Sequence, residues 1–316
     1  MRNVKVGVVS FLRGWDILAT IQENIDQALH WIDAAGQEGC DILCLPEMFN
    51  VVGTPALSGS AAGDPEAILA AVEDFPGSIA GQVAAKARQH HLYVIAVYLV
   101  REDGHVYNRA TIFDRQGEIV GAYDKFNPTH YELEGWGVTP GKVLPVFELD
   151  FGRVAVLICY DMFFPEMMRI YSFKGAEMIF LSTGNITPNP RVVYEQLRSR
   201  ASDYSVPIAL SNFGISPPYA PHAGRLLPSR ACIVDYDGLV RADTGHRPGL
   251  VTATIDLDEP RLDTTAPAGS SPVSMKAELE SFVKLEEYAR EYLALAERQR
   301  KRYRELERQR AEARTP

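Results

Sequence analysis

No stretch of this 316-residue chain stays apolar for long enough to cross a membrane. The opening segment breaks its short apolar run at Arg13 and Asp16 and carries no small-residue cleavage site, so it does not read as a signal peptide. Cysteine is scarce. Of the four residues, Cys40, Cys44, Cys159 and Cys232, the first two flank Asp41-Ile42-Leu43, and no His or Cys cluster with zinc spacing accompanies them, which argues against a structural zinc site. Cys40, Cys44 and Cys232 are expected to be buried small hydrophobes in a reducing cytoplasm. Basic residues are outnumbered, 32 Lys and Arg against 41 Asp and Glu, and the net charge of −9 argues against nucleic acid or an anionic membrane as partner. No G-x-S-x-G elbow is present, which disfavours a serine hydrolase. A phosphate-binding glycine loop of the kind an ATP-using synthetase needs is also missing.

What is present is an ordinary globular composition, 46% apolar and 23% charged, sufficient for a sizeable core. Val4 to Ser10 reads as a strand, and Asn24 to Ala35 places Ile25, Ala28, Leu29, Ile32 and Ala35 on one helical face. Asp41 to Leu45 is a buried strand that ends at Pro46-Glu47. Further strands are expected at 93–99, 110–114, 119–123, 154–158, 178–182, 208–211, 231–234 and 250–255. Helices are expected at 79–91, from about 161 to 174, and at 192–204. This alternation favours one α/β domain. Gly53 to Glu66, rich in Gly, Ala, Ser and Pro, reads as a surface loop.

Composition shifts near Ser274. The expected division is a domain over residues 1–274 and a C-terminal helical extension over 275–316. Leu279, Phe282, Val283, Tyr288, Tyr292 and Leu295 form a helical stripe, and Arg298 to Arg314 is charged nearly all round. Three readings stay open: a solvated helix laced with ion pairs, an arm that packs on a partner subunit, and a nucleic-acid arm, which the interspersed acids disfavour.

Three segments carry chemistry. Cys159 follows the apolar strand Val154–Ile158 and opens a helical pattern. A strand-to-helix turn exposes a nucleophile and aims backbone N–H groups at it. Asp161 falls in the first turn, where a carboxylate complements those N–H groups. Glu47 ends a buried strand, where a carboxylate is costly unless paired or functional, and it suits general acid–base work. Lys125 lies between Tyr123 and Phe126, and an ammonium there can stabilise a thiolate or an oxyanion. Taken singly, the three also read as a buried thiol, a capping carboxylate and a surface lysine.

Taken together, in this order and each after a strand, they resemble the nitrilase superfamily of carbon–nitrogen hydrolases. The resemblance rests on Leu45-Pro46-Glu47-Met48-Phe49, Gly121-Ala122-Tyr123-Asp124-Lys125 and Ile158-Cys159-Tyr160-Asp161-Met162-Phe163-Phe164-Pro165-Glu166. Asn24, Tyr107-Asn108, Pro140-Gly141, Arg200-Ala201 and Gly238 match as well. It implies a four-layer α-β-β-α sandwich whose subunits pair through helices into a homodimer or higher oligomer. It also implies a Glu–Lys–Cys triad with no metal and no organic cofactor. In the implied mechanism Glu47 takes the thiol proton as Cys159 attacks, Lys125 and the N–H of Tyr160 hold the oxyanion, and a water then hydrolyses the thioester. The substrate is a small amide, nitrile or carbamoyl compound. Cys159-Tyr160-Asp161 with Phe164-Pro165-Glu166 looks like the amidase branches, whereas Lys125 to Glu132 with Trp136-Gly137 looks like a nitrilase. The segment beside the nucleophile is weighted more, so amide hydrolysis leads. A binding module built on an inactive member is the non-enzymatic alternative. Tyr131, Trp136, Tyr160 and Phe163 are candidates to line the acyl pocket. A second active-site glutamate is expected at Glu132, with Glu134 competing, and no order along an extended segment separates the two.

Overall fold

Continuous apolar runs in the first hundred residues build strands that bury both faces. The structure, a computed structural model, describes residues 1–13, 19–57, 63–184, 190–215, 230–245, 247–259, 281 and 283–313. The strands are β1 (Asn3–Arg13), β2 (Ile42–Glu47), β3 (Glu73–Asp74), β4 (Tyr93–Glu102), β5 (His105–Phe113) and β6 (Ile119–Asp124), then β7 (Phe147–Leu149), β8 (Gly152–Ile158), β9 (Met178–Ser182), β10 (Ile208–Ile215), β11 (Cys232–Val234), β12 (Val240–Asp243) and β13 (Gly249–Asp256). The helices are α1 (Ile21–Gln37), α2 (Pro65–Ala70), α3 (Ser78–His90), α4 (Pro165–Phe173), α5 (Pro190–Tyr204) and α6 (Leu285–Ala313). Two units result, Met1–Pro260 and Arg261–Pro316.

In the first unit the strand order is β6-β5-β4-β2-β1-β10-β9-β8-β7. The strand β1 explains how one path makes two layers. Its first part pairs with β2 (Val6 to Ile42, Val8 to Cys44), and its last four residues pair with Asn212–Ile215 of β10. The layers therefore share a seam and close almost as a barrel. Side chains alternate across the pleat. Ile42, Cys44, Ile95 and Val97 face one core, with Val154 to Ile158 and Met178 to Leu181. Leu43, Leu45, Val94, Ala96 and Tyr98 face the other, with Ile25, Ala28 and Ile32 of α1 and Ile79, Val83 and Ala87 of α3. Met167, Met168 and Tyr171 of α4 and Leu197 and Ala201 of α5 cover the far side of the second sheet. The result is the expected α-β-β-α sandwich.

Local details differ from the expectation in two places. The helix read from about Asp161 to Lys174 is interrupted. Cys159–Phe163 is a 3-10 turn, Phe164 is extended at φ −105° and ψ 90°, and α4 restarts at Pro165. Proline disfavours helical backbone at the residue before it and suits the first helical position itself. The Gly53–Glu66 segment, of which 58–62 lie outside the described residues, runs into α2 at its end, with Asp64 capping Glu66 and Ala67 ahead of Pro65. Leu279 and Phe282 of the C-terminal stripe also lie outside the described residues. The other unit contributes α6, acidic in its first turn at Glu286 and Glu287. All four cysteines are unpaired; Cys40, Cys44 and Cys232 are buried, and burial pushes their thiols up to about 11, 12 and 12. Among the described residues no helix is long and apolar enough to cross a membrane.

Candidate active site

The chemistry-bearing side chains gather where strand ends meet. Glu47 is the last residue of β2, and Met48 then turns the chain with a left-handed φ of +52°. Lys125 lies one residue past β6. Cys159 follows β8 and takes a left-handed φ of +46°. Non-glycine residues adopt this region at a cost of about 1–3 kcal/mol, sustained only where the surroundings over-determine it. Here the surroundings do so: the Met48 N–H donates to Val97 O at 2.8 Å, and Asp161 fixes the turn at Cys159 from both sides.

Glu47, Lys125 and Glu132 are all buried, at 5%, 1% and 2% exposure, so their charges must answer one another. Lys125 Nζ donates to Glu47 Oε1 at 2.8 Å and to both oxygens of Glu132, at 3.0 and 2.8 Å. Asn108, in β5 opposite Leu99 of β4, donates its Nδ2 to Glu47 Oε1 and to Glu132 Oε1, both at 2.8 Å. The Thr129 N–H donates to Glu132 Oε2 at 2.7 Å, and the Gly184 N–H donates to Glu47 Oε2 at 2.8 Å. Burial opposes the charge on Lys125, but the Glu47 and Glu132 carboxylates outweigh it and hold the ammonium above its ordinary range. Burial likewise pushes Glu132 up, but Lys125, Asn108 and Thr129 bring it below the usual carboxylate value.

The fourth member is the thiol. Burial, then the charge of Glu47, pushes the Cys159 thiol up; Lys125 and a hydrogen bond with Thr183 pull the other way without prevailing. The surroundings therefore favour the thiol over the thiolate, and an attacking sulfur needs a base. Glu47 is close enough to act electrostatically on the sulfur and is bonded through Oε2 to Gly184, the residue after Thr183.

A buried carboxylate braces the two loops. Asp161 Oδ2 accepts from the Tyr123 hydroxyl (2.7 Å) and the Ile158 N–H (3.0 Å). Its Oδ1 accepts from the backbone N–H and side-chain Nδ2 of Asn127, at 2.9 and 3.1 Å. One side chain thus ties both flanks of Lys125 to the residue before Cys159. On the other side Gly141 N–H donates to Lys125 O at 2.9 Å, and a Cβ at Gly141 would lie 2.1 Å from Asp124 O. Glycine is required there because two backbones touch.

The two candidate glutamates lie on different sides of one turn. Tyr131–Gly135 is a π-helical turn, closed by the Trp136 N–H on Tyr131 O at 3.1 Å. Residues two apart on a helical turn point to nearly opposite sides, so Glu132 faces Lys125, while Glu134 lies 67% exposed, 3.4 Å from His130. Of the pocket candidates, Tyr131, Tyr160 and Phe163 are part-exposed, and Tyr160 stands against Phe163 and Phe164 with ring centroids 5.6 and 5.4 Å apart. Trp136 is buried in the core shared with β2 and β4. The sequence reading missed the bridging role of Asn108, the loop-to-loop role of Asp161, and Thr183 with Gly184. Asn108 is a fully buried amide in the mixed strand β5, which carries no comparable sequence signal, whereas Thr183-Gly184 follows the apolar strand β9, the same signal that singled out Glu47 and Cys159.

Comparison with known proteins follows the same lines. Residues 12–262 match the family model for carbon–nitrogen hydrolases. The chain is 32% identical over 241 residues to a 2-oxoglutaramate amidase of Bacillus subtilis (strain 168), covering 75% of this chain and 86% of that protein. It is 28% identical over 268 residues to an omega-amidase NIT2 of Xenopus tropicalis, covering 82% and 90%. Its fold superposes with a TM-score of 0.69, at 19% identity over 91% of this chain and 96% of the other, on a mutant amidase from Nesterenkonia sp. AN1 that carries the acetamide moiety of fluoroacetamide on its active-site cysteine.

Proposed function

The chain belongs to the carbon–nitrogen hydrolase family, as an amidase-like hydrolase, and from that premise we propose that it converts a primary amide to a carboxylic acid and ammonia through a thioester on Cys159. The observation that carries this reading is the buried cluster of Glu47, Lys125 and Glu132, whose charges reach the Cys159 sulfur. Glu47 accepts the thiol proton as the sulfur bonds the amide carbon. The developing oxyanion is held by the backbone N–H of Tyr160 and by Lys125, which trades one of its two bonds to Glu132 for it. Glu47 then protonates the leaving ammonia, and finally it activates the water that cleaves the thioester. Glu132 keeps the ammonium charged and fixed in place.

The nitrilase-like wording of the loop after Lys125 has a use within this scheme, since the Thr129 N–H holds Glu132. That leaves the residues around Cys159 to set the substrate class, and they favour amides. Tyr131, Tyr160 and Phe163 are the groups we assign to the acyl pocket, with Trp136 supporting it from the core. The test is ammonia release from matched amide, nitrile and N-carbamoyl compounds, with ω-amides such as 2-oxoglutaramate first because the relatives carry those names. Faster turnover of the nitrile than of its amide overturns the assignment.

A further inference from the structure

The two oxygens of Glu47 are not equivalent. Oε1 accepts from Lys125 Nζ and from Asn108 Nδ2, both at 2.8 Å, which fills its lone pairs. Among the described residues, Oε2 accepts from the Gly184 N–H alone, at 2.8 Å. Thr183, one residue earlier, hydrogen-bonds the sulfur of Cys159. Consecutive residues thus hold the thiol and Oε2. Asn108 is fully buried, and its Nδ2 reaches across to Glu132 as well, so one amide spaces both carboxylates. Among the described residues its Oδ1 has no hydrogen-bond partner. Turning the amide over would face that oxygen toward two carboxylate oxygens, so the donor orientation persists while both carboxylates are ionised.

Building on the amidase reading, we propose that Asn108 is a positioning residue: it closes Oε1 of Glu47 and reserves Oε2 for the proton of Cys159. When the sulfur attacks, the S–H bond breaks, the proton goes to Oε2, and the freed electron pair forms the bond to the acyl carbon. Asn108 stays bonded to Oε1 throughout and so keeps Glu47 from rotating toward Lys125. Because its N–H bonds favour the ionised carboxylates, its loss raises their proton affinity. Gly184 acts on the opposite oxygen. A Cβ there would lie 3.3 Å from Oε2, so Gly184→Ala crowds the proton-accepting side and leaves Oε1 untouched.

The experiment follows alkylation of Cys159 by 2-chloroacetamide across pH 5 to 9, read by mass spectrometry on the full chain, and needs no knowledge of the natural substrate. The other three cysteines are buried. In Asn108→Leu the labelling rate at neutral pH is expected to fall about tenfold and the acid limb to move up by about one pH unit. Asn108→Thr, which offers one donor instead of two, is expected to fall between Leu and wild type. Gly184→Ala is expected to slow labelling without moving the limb. A cooperative melt checks that each variant is folded, and if Asn108→Leu is not, Asn108→Thr decides. A folded variant at 108 with unchanged limb and rate overturns the positioning role while leaving the amidase reading intact. A wild-type profile that matches Glu47→Gln removes Glu47 as the base, and both ideas fall with it.

Discussion

Replacing Glu132 by Gln preserves shape and removes one charge from a buried set of three. In the wild type, Glu132 receives two bonds from Lys125, one from Asn108 and one from the Thr129 N–H. A glutamine can turn its oxygen toward Lys125 and Asn108, but its NH2 then confronts the Thr129 N–H, a donor against a donor. Turned the other way, it confronts Asn108 and Lys125. One buried donor is left unsatisfied in either case, and Lys125 keeps a single counter-charge. Breaking one partner of a buried ion pair costs about 3–5 kcal/mol. Part of that is recovered as Glu47 draws closer to Lys125, which disables the base. A rate loss of about 10²-fold or more is expected. Glu134→Gln removes only a 3.4 Å contact with His130 at 67% exposure, and activity within about twofold of wild type is expected. The assay is steady-state ammonia release with a thermal melt on the same samples. An active Glu132→Gln enzyme beside a dead Glu134→Gln enzyme would refute the reasoning.

Other outcomes can be read directly. Cys159→Ala should abolish turnover and keep a cooperative melt, and slow substrates should leave an acyl adduct on Cys159 in the wild type by mass spectrometry; residual turnover in the alanine variant removes the mechanism. Gly141→Ala should lower activity at least tenfold, because its Cβ would sit 2.1 Å from Asp124 O beside Lys125; an unaffected enzyme means the contact relaxes freely. Burial pushes Glu177 up, but Arg2 and Arg153 bring it below its ordinary 4.5, so its contribution is present above that value and lost as pH falls through the lower folded one. Glu177→Gln should therefore destabilise by about 1 kcal/mol at pH 7, and the gap between the two melting curves should close toward pH 3. Deleting residues 275–316 should change the assembly state or the melting temperature, by light scattering and calorimetry; no change in either favours a solvated helix.

The sequence by itself determined the alternation of strands and helices and marked the candidate site segments. The continuous apolar runs of β2 and β4 and the helical periods of α1 and α3 are legible locally, because each reports the burial of its own residues. Glu47 and Cys159 were legible because a charged or nucleophilic residue at the end of an apolar strand is anomalous wherever it occurs, and Lys125 because it lies between aromatic residues. The tertiary structure decided the rest. Glu132 and Glu134 are indistinguishable along an extended segment, and only the π-helical turn, which long-range contacts to Lys125 and Asn108 support, sends one inward and the other to solvent. Asp161 looked like a helix-start carboxylate, yet half of its bonds come from Asn127, 34 residues away. Asn108 and Gly184 acquire meaning only because β5 and the end of β9 arrive at the same carboxylate, 61 and 137 residues from it along the chain. Local pattern reports burial and backbone shape, which neighbouring residues set. Which donor meets which lone pair is fixed by strand order and register, and these emerge only when the whole sandwich closes.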